Sequence, residues 1–219
     1  SDIDELTANI GFTFYGDKNE VKYGLELKSI RTNFEFTNPF GIRFADEQNT
    51  TELGFYSKYR HIIGSLIVDP SIRVQYYSAL GQVALEPRIG IKYNINDVWR
   101  FKGAAGRYTQ NILSTSNERD VVNLFNGFLT GPESIIKDYN GQKLDNKLQI
   151  SNHVVAGFEF DLTKRTTLNL EGYYKNFPQL IVVNRNKENN DETDYTTETG
   201  SAYGVDMSIK YELPRFYVW

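Results

Sequence analysis

The sequence consists largely of short segments in which apolar and polar side chains alternate. Residues 85–95 (LEPRIGIKYNI) put apolar side chains at the odd positions and charged residues, glycine or asparagine at the even positions. After a turn at residues 94–97 (NIND), Trp99 and Phe101 continue the apolar side. Alternation with a period of two is typical of a β-strand whose two faces meet different surroundings. Asn and Asp suit the tight turn, because they tolerate left-handed backbone.

The connections between these segments predict how the strands follow one another. Tight turns are predicted at Asp17, Gly64, Asn96, Lys164 and Pro214. Longer connections are predicted at residues 37–51, 79–84, 112–146 and 184–197. Tight and longer connections therefore alternate along the chain, which is typical of an antiparallel up-and-down barrel in an outer membrane. A soluble β-sandwich would mix connection lengths and crossovers, so a sandwich that acts as a binding module ranks below the barrel.

The charged side of the strands indicates which face meets water. Lys, Arg, Asp and Glu recur on it, and burying so many ions in a dry core would cost too much free energy. A water-filled or plugged lumen would accept them. The apolar side is then predicted to face lipid, with Trp99 near the membrane interface. The residues predicted to face lipid are Ile89, Ile91, Trp99, Phe101, Phe158, Phe160, Val205 and Ile209.

Composition and motifs exclude several other classes of function. The net charge is −4 and no basic run stands out, which argues against a nucleic-acid surface. The chain has no Cys, so disulfides and thiolate catalysis are excluded. No apolar run approaches the roughly 18 residues of a membrane-spanning helix. Neither a nucleophile elbow nor a phosphate loop nor a zinc-protease motif occurs, so we expect no enzyme activity, cofactor or metal.

Several segments resemble a known family of membrane proteins. The segments are EPRIGIKY at 86–93, WRFKGAAGRYTQ at 99–110, VVAGFEF at 154–160, LNLEGYYK at 168–175, GSAYGVD at 200–206 and LFNGFLTGPE at 124–133. Their order and spacing are similar to those of TonB-dependent outer-membrane receptors, and the last segment resembles members from Bacteroidetes-type bacteria. The resemblance covers most of residues 52–219.

This resemblance implies a fold and a function. Such receptors have a 22-stranded barrel closed by an N-terminal plug, and they import scarce nutrients with energy relayed by TonB. Residues 1–219 would be one domain, a C-terminal portion of the barrel with about ten strands of the wall and no plug. The implied partners are outer-membrane lipid, the TonB complex through a plug outside this chain, and a siderophore, cobalamin, glycan or peptide. A structural or assembly partner in a larger envelope complex is the alternative.

Candidate binding residues lie where the longest connection joins its strand, since functional residues concentrate on loops held by rigid scaffolds. We expect substrate contacts from Arg107, Tyr108, Gln110, Asn111, Phe125 and Phe128. The two histidines, His61 and His153, lie on separate strands, and a metal site needs more ligands close together. Residues 103–106 (GAAG) form a small-residue patch that would let a plug or a loop approach the wall.

Overall fold

The computed structural model describes residues 2–37, 43–111, 113–114, 129–130, 146–183, 195–213 and 216–218. Almost all of these residues lie in β-strands or in short turns between them. The strands are β1 (Asp2–Tyr15), β2 (Asn19–Thr37), β3 (Arg43–Ile63), β4 (Leu66–Tyr77), β5 (Gln82–Asn94), β6 (Trp99–Gln110), β7 (Leu113–Ser114), β8 (Leu129–Thr130), β9 (Gln149–Thr163), β10 (Thr166–Val183), β11 (Tyr195–Leu213) and β12 (Phe216–Val218).

Ten of the strands form one antiparallel sheet. Its order is β1-β2-β3-β4-β5-β6-β9-β10-β11-β12, so neighbours in the sheet are also neighbours in the chain except where β7 and β8 intervene. β7 and β8 pair only with each other. β1 and β12 lie at opposite edges, and the sheet is an open one. The prediction of an all-β, up-and-down and incomplete barrel is confirmed, and the sandwich alternative is wrong because this single sheet has no second sheet packed on it within the described residues.

The part of the chain that the structure describes contains no helix that is both long enough and apolar enough to span a membrane.

At one end of the sheet, here called the turn end, the turns match the predictions at Asp17, Gly64, Asn96 and Lys164, and the turn predicted at Pro214 lies outside the described residues. Residues 16–18, 64–65, 95–98 and 164–165 join consecutive strands there. Gly64 has a φ of 58°, a conformation that glycine adopts without strain. At the turn between β5 and β6, Asn96 Oδ1 accepts hydrogen bonds from the backbone N–H groups of Val98 (2.9 Å) and Trp99 (2.8 Å).

Two of the longer predicted connections are wrong. β3 begins at Arg43 and pairs with β2 from Thr37↔Arg43 onward, so much of the predicted connection 37–51 is strand. The predicted connection 79–84 is a four-residue turn, residues 78–81, because β5 begins at Gln82. In both places apolar and polar side chains no longer alternate clearly, but the backbone hydrogen bonds between the strands continue. At the opposite end, here called the loop end, only the connections after β6 and β10 are long.

Cross-strand pairing collects the apolar side chains on one face, here called the apolar face. One row across five strands is Tyr93, Phe101, Phe158, Leu170 and Met207. The residues predicted to face lipid all share this face by register. Six of the eight are exposed, from Ile91 at 37% to Val205 at 72%, while Phe101 and Phe160 are half-buried.

Aromatic rings concentrate on the apolar face near the turn end. The rings of Trp99 and Phe160 stack with centroids 4.6 Å apart, and those of Phe101 and Phe158 are 5.4 Å apart. Such pairs add stabilisation beyond their buried area. Amphipathic rings at this level are typical of the interfacial girdle of a membrane barrel.

The opposite face, here called the charged face, is held together by ion pairs between strands. Arg73 on β4 reaches across β3 to Glu26 on β2, with Nη2 3.0 Å from Oε1. Arg60 on β3 bonds Asp69 on β4, with Nε 2.8 Å from Oδ1. Pairs that connect neighbouring strands in this way offset the cost of placing many charges side by side.

The largest of these clusters joins β6 to β9. Arg100 Nε donates to Glu159 Oε1 at 2.6 Å, and Arg100 Nη2 donates to Asp161 Oδ1 at 2.7 Å. Lys102 Nζ also contacts Glu159. β6 and β9 are separated in sequence by residues 111–148, so no tight turn sets their register. The cluster around Arg100 therefore helps to fix the pairing Arg100↔Glu159.

We predict that Arg100→Met lowers the free energy of unfolding by about 2 kcal/mol, because charge-assisted hydrogen bonds to Glu159 and Asp161 are lost from a mostly buried guanidinium. Thermal unfolding of the full-length protein in detergent, followed by heat-modifiable gel mobility, measures this. Arg165→Met, in the exposed turn between β9 and β10, is the matched control and should leave the midpoint unchanged. Equal midpoints for the two variants would contradict the prediction.

Candidate functional site

The predicted substrate-contacting residues do not form one cluster. Tyr108 and Gln110 lie on the charged face, because they alternate with Arg107, which pairs with Asn152 on the apolar face. Asn111 follows the end of β6 and is only 1% exposed. Its amide oxygen and nitrogen have no hydrogen-bond partner among the described residues. Phe125 and Phe128 lie outside the described residues.

Two adjoining depressions surround Tyr108. The first, of about 340 Å³, is bordered on the charged face by Ala104, Gly106, Tyr108, His153, Tyr173, Lys175 and Asp206. The second, of about 290 Å³, includes Tyr108, Gln110, Gln149, Ser151, His153 and Phe177. Tyr108 and His153 belong to both. Small-molecule sites begin at about 300 Å³. The first depression exceeds this size slightly, and the second falls just below it.

Tyr108 and His153, which both depressions share, belong to a row of contacting groups that we call the ring row: Arg88, Tyr108, His153 and Phe177. The guanidinium carbon of Arg88 lies 4.4 Å from the centroid of the Tyr108 ring. The Tyr108 and His153 rings are 4.7 Å apart, and His153 meets Phe177 edge-on at 6.3 Å. The ring row thus crosses β5, β6, β9 and β10. Sequence reasoning did not find it, because its members come from four separate segments.

Glycine at position 106 makes the ring row possible. A Cβ there would lie 2.9 Å from Cγ of Arg88 and 3.3 Å from the Tyr108 ring. Without it, the stem of Arg88 crosses β6 and places the guanidinium over the tyrosine. The small-residue patch predicted at 103–106 therefore contributes Gly106 to the site, whereas Gly103 pairs with Ile91 on the apolar face.

One cation, Lys175, borders the first depression, and a second, Arg88, lies against Tyr108 outside the lining of both. Lys175 Nζ lies 5.3 Å from the centroid of the Tyr173 ring. Lys175 makes no ion pair with the residues that the structure describes. Arg88 is paired with Glu86, at 2.5 Å, and its Nε is buried without a partner among the described residues.

Buried polar groups support the loop end of β6 just beyond Tyr108. Glu86, which is 3% exposed, accepts hydrogen bonds from the Thr109 backbone N–H (2.7 Å) and hydroxyl (2.8 Å). The Tyr77 hydroxyl donates to the Thr109 carbonyl oxygen at 3.0 Å. Tyr77 is itself buried beside Ala84 and Leu148. Tyr108 is therefore presented from a fixed strand end.

The histidines are not placed for shared metal binding. His61 pairs with Val68 on the apolar face, and Tyr59 Oη lies 3.3 Å from its Nδ1. His153 lies on the charged face, with Nε2 2.5 Å from Ser151 Oγ. Within the described ranges, no group of three or more histidine, aspartate or glutamate residues could hold a metal ion.

A family model described as TonB dependent receptor-like, beta-barrel, matches residues 2–219. Similar solved structures include the siderophore receptor PirA from Pseudomonas aeruginosa, with a TM-score of 0.63 and 11% sequence identity. The ferric enterobactin receptor PfeA from the same organism has a TM-score of 0.64 and 12% identity. The RagAB peptide importer has a TM-score of 0.61 and 12% identity. The resemblance seen in the sequence is confirmed.

These similarities extend over only part of the other proteins. The match to PirA covers 97% of this chain but 40% of PirA. The match to PfeA covers 98% of this chain and 34% of PfeA, and the match to RagAB covers 98% of this chain and 28% of the other chain. The chain thus spans well under half the length of these receptors. No curated protein sequence matches it closely enough to count as a relative.

We predict that Glu86→Leu destabilises the wall by about 3 kcal/mol, because the buried Thr109 N–H and Arg88 both lose their acceptor. Glu86→Gln, which keeps an acceptor oxygen for Thr109 and loses only the ion pair, should cost less than half as much. Thermal midpoints of the full-length protein in detergent compare the two. If glutamine and leucine are equally harmful, the hydrogen bonds to Thr109 are not what Glu86 contributes.

Proposed function

Because the chain belongs to the TonB-dependent receptor family, as part of its β-barrel domain, we propose that it forms a section of an outer-membrane barrel wall and serves the import of a scarce nutrient. The family consists of outer-membrane transport receptors rather than enzymes. The similar structures include receptors for siderophores and a peptide importer. The nutrient of this receptor is one of these classes, or a cobalamin or a glycan.

The two-faced sheet carries this proposal. The apolar face is uncovered across nine long strands and bears rings at the turn end, which suits contact with lipid. The charged face suits a water-filled or plugged lumen. Some of its charges, such as those of Lys92 and Asp206, form no ion pair with the described residues, and unpaired charges need water around them. In this orientation Ile89, Ile91, Trp99, Phe101, Phe158, Phe160, Val205 and Ile209 contact lipid.

The candidate site then faces the lumen. Tyr108 and Gln110, with His153 and Lys175, border the depressions there and would contact the nutrient. Arg107 belongs to the apolar face and would not. The remaining partners of the proposal, a plug domain and the TonB complex that acts on it, come from outside this chain.

Deletion and TonB depletion test the function. Cells that lack the full-length gene should grow more slowly than wild type when iron, cobalamin, peptide or glycan is limiting, for one of these nutrients only. TonB depletion should slow the growth of wild-type cells on that nutrient to the rate of the deletion cells. Unchanged growth on all four, together with copurification of a fixed set of envelope proteins, would support the structural role in an envelope complex instead.

We predict that Ile91→Lys lowers the yield of assembled barrel, because a lysine on the lipid-facing side costs free energy that rises from about 1 kcal/mol near the interface to about 2–4 kcal/mol at the bilayer midplane. Gly90→Lys points to the charged face, where a Cβ would lie 3.5 Å from Asp69 Cβ, and should be far milder. Heat-modifiable gel mobility of the outer-membrane fraction measures both variants. Equal yields would overturn the assignment of the two faces.

A further inference from the structure

We propose that the ring row and Lys175 bind a ligand group that combines a negative charge with a flat ring. The proposal rests on the function given above, since a ligand can reach these residues only if the charged face lines the lumen. It names the chemical class that this part of the wall selects.

Lys175 supplies a charge that the described wall does not neutralise. On the charged face it pairs directly with His153 on β9 and Ala202 on β11. Its diagonal neighbours include Ser151, Val155 and Gly204, none of which is acidic. An ammonium group held beside an aromatic ring, with no carboxylate beside it, attracts an anion from the lumen.

A second positive charge, on Arg88, does not line the depression but lies against Tyr108, which does. The guanidinium of Arg88 stacks on Tyr108, and its single ion pair with Glu86 lies on the side toward the loop end. A cationic ligand in the depression would meet the like charge of Lys175. Asp206 lies at the rim toward the turn end, so an anionic group is favoured near Lys175 and disfavoured at the opposite rim.

The rings supply a flat surface next to this charge. Tyr173 offers a ring face, whereas Tyr108, with Arg88 on one side and His153 on the other, is 37% exposed and offers its edge, which suits an edge-to-face contact. Tyr173 lies flat across β11, because a Cβ at Gly204 would be 2.6 Å from its hydroxyl oxygen. Between Tyr108 and Tyr173 the wall consists of Ala104, Gly106 and Val155, with His153 beside them, and the 340 Å³ depression has room for one ring. Stacking of a ligand ring on such surfaces favours a planar over a saturated group.

Three small probes separate the two requirements. Benzoate has both the charge and the flat ring, benzamide has the ring alone, and cyclohexanecarboxylate has the charge alone. Ligand-observed NMR titrations of the purified full-length receptor in detergent should give a Kd for benzoate on the order of millimolar, as expected for a ligand of this size. The other two probes should bind at least ~5-fold more weakly.

Variants assign each requirement to its residue. Lys175→Met should abolish the preference for benzoate over benzamide and keep the preference for benzoate over cyclohexanecarboxylate. Tyr108→Leu should do the reverse. Lys164→Met, in the exposed turn between β9 and β10, should change neither preference. Heat-modifiable mobility confirms that each variant is folded before it is titrated.

Equal binding of the three probes to the wild-type receptor would overturn the proposal, and so would a Lys175→Met variant that still prefers benzoate to benzamide. Neither result would affect the proposed function, which depends on outer-membrane location and TonB-dependent growth. Conversely, a protein absent from the outer-membrane fraction would refute the proposed function whatever the probes show.

Discussion

Antiparallel pairing places the two residues of every cross-strand pair on the same face of the sheet, and this constraint organises the whole chain. A single registered row such as Tyr93, Phe101, Phe158, Leu170 and Met207 can meet only one kind of surroundings. A slip of one residue in any strand would exchange its apolar and charged sides. The ion pairs around Arg100 and the stacked rings of Trp99 and Phe160 act against such a slip, each on its own face.

The same constraint explains which parts of the fold could be predicted from the sequence. Where one side of a strand is apolar, as from Leu85 to Tyr93, the alternation with a period of two predicts both that the segment is a strand and which residues lie on each face. The signal fades where the sequence is mostly polar, as in residues 43–51, and next to turn residues such as Gly81, which is why residues 43–51 and 82–84 were predicted as connections. Their backbone ladder still forms, because main-chain hydrogen bonds do not depend on side-chain polarity. Strand ends beyond the apolar band are therefore the least predictable part of such a sheet.

The candidate site could be predicted only in part. Tyr108 and Gln110 were chosen for their position beside the longest connection and do border the depressions, but Arg107 was grouped with them although adjacent residues in a strand point to opposite faces. His153, Lys175 and Phe177 join Tyr108 through the register of β6 with β9, which no local pattern reveals. Glu86 and Tyr77 support the site from β5 and β4. The pair Glu86 and Arg88, two residues apart on one side of a strand, was the one local signal for that support.

The connection between β6 and β9 divides the wall into two sets of consecutive strands, β1–β6 and β9–β12. Within each set, every new strand can add next to the one before it. The join between them, residues 111–148, is the longest stretch of sequence between consecutive strands of this sheet. The entropic cost of closing such a connection grows only with the logarithm of its length. Insertions or deletions between β6 and β9 can therefore change what lies at the loop end of the wall at little thermodynamic cost to the wall itself, which makes this connection the natural place for related receptors to diverge.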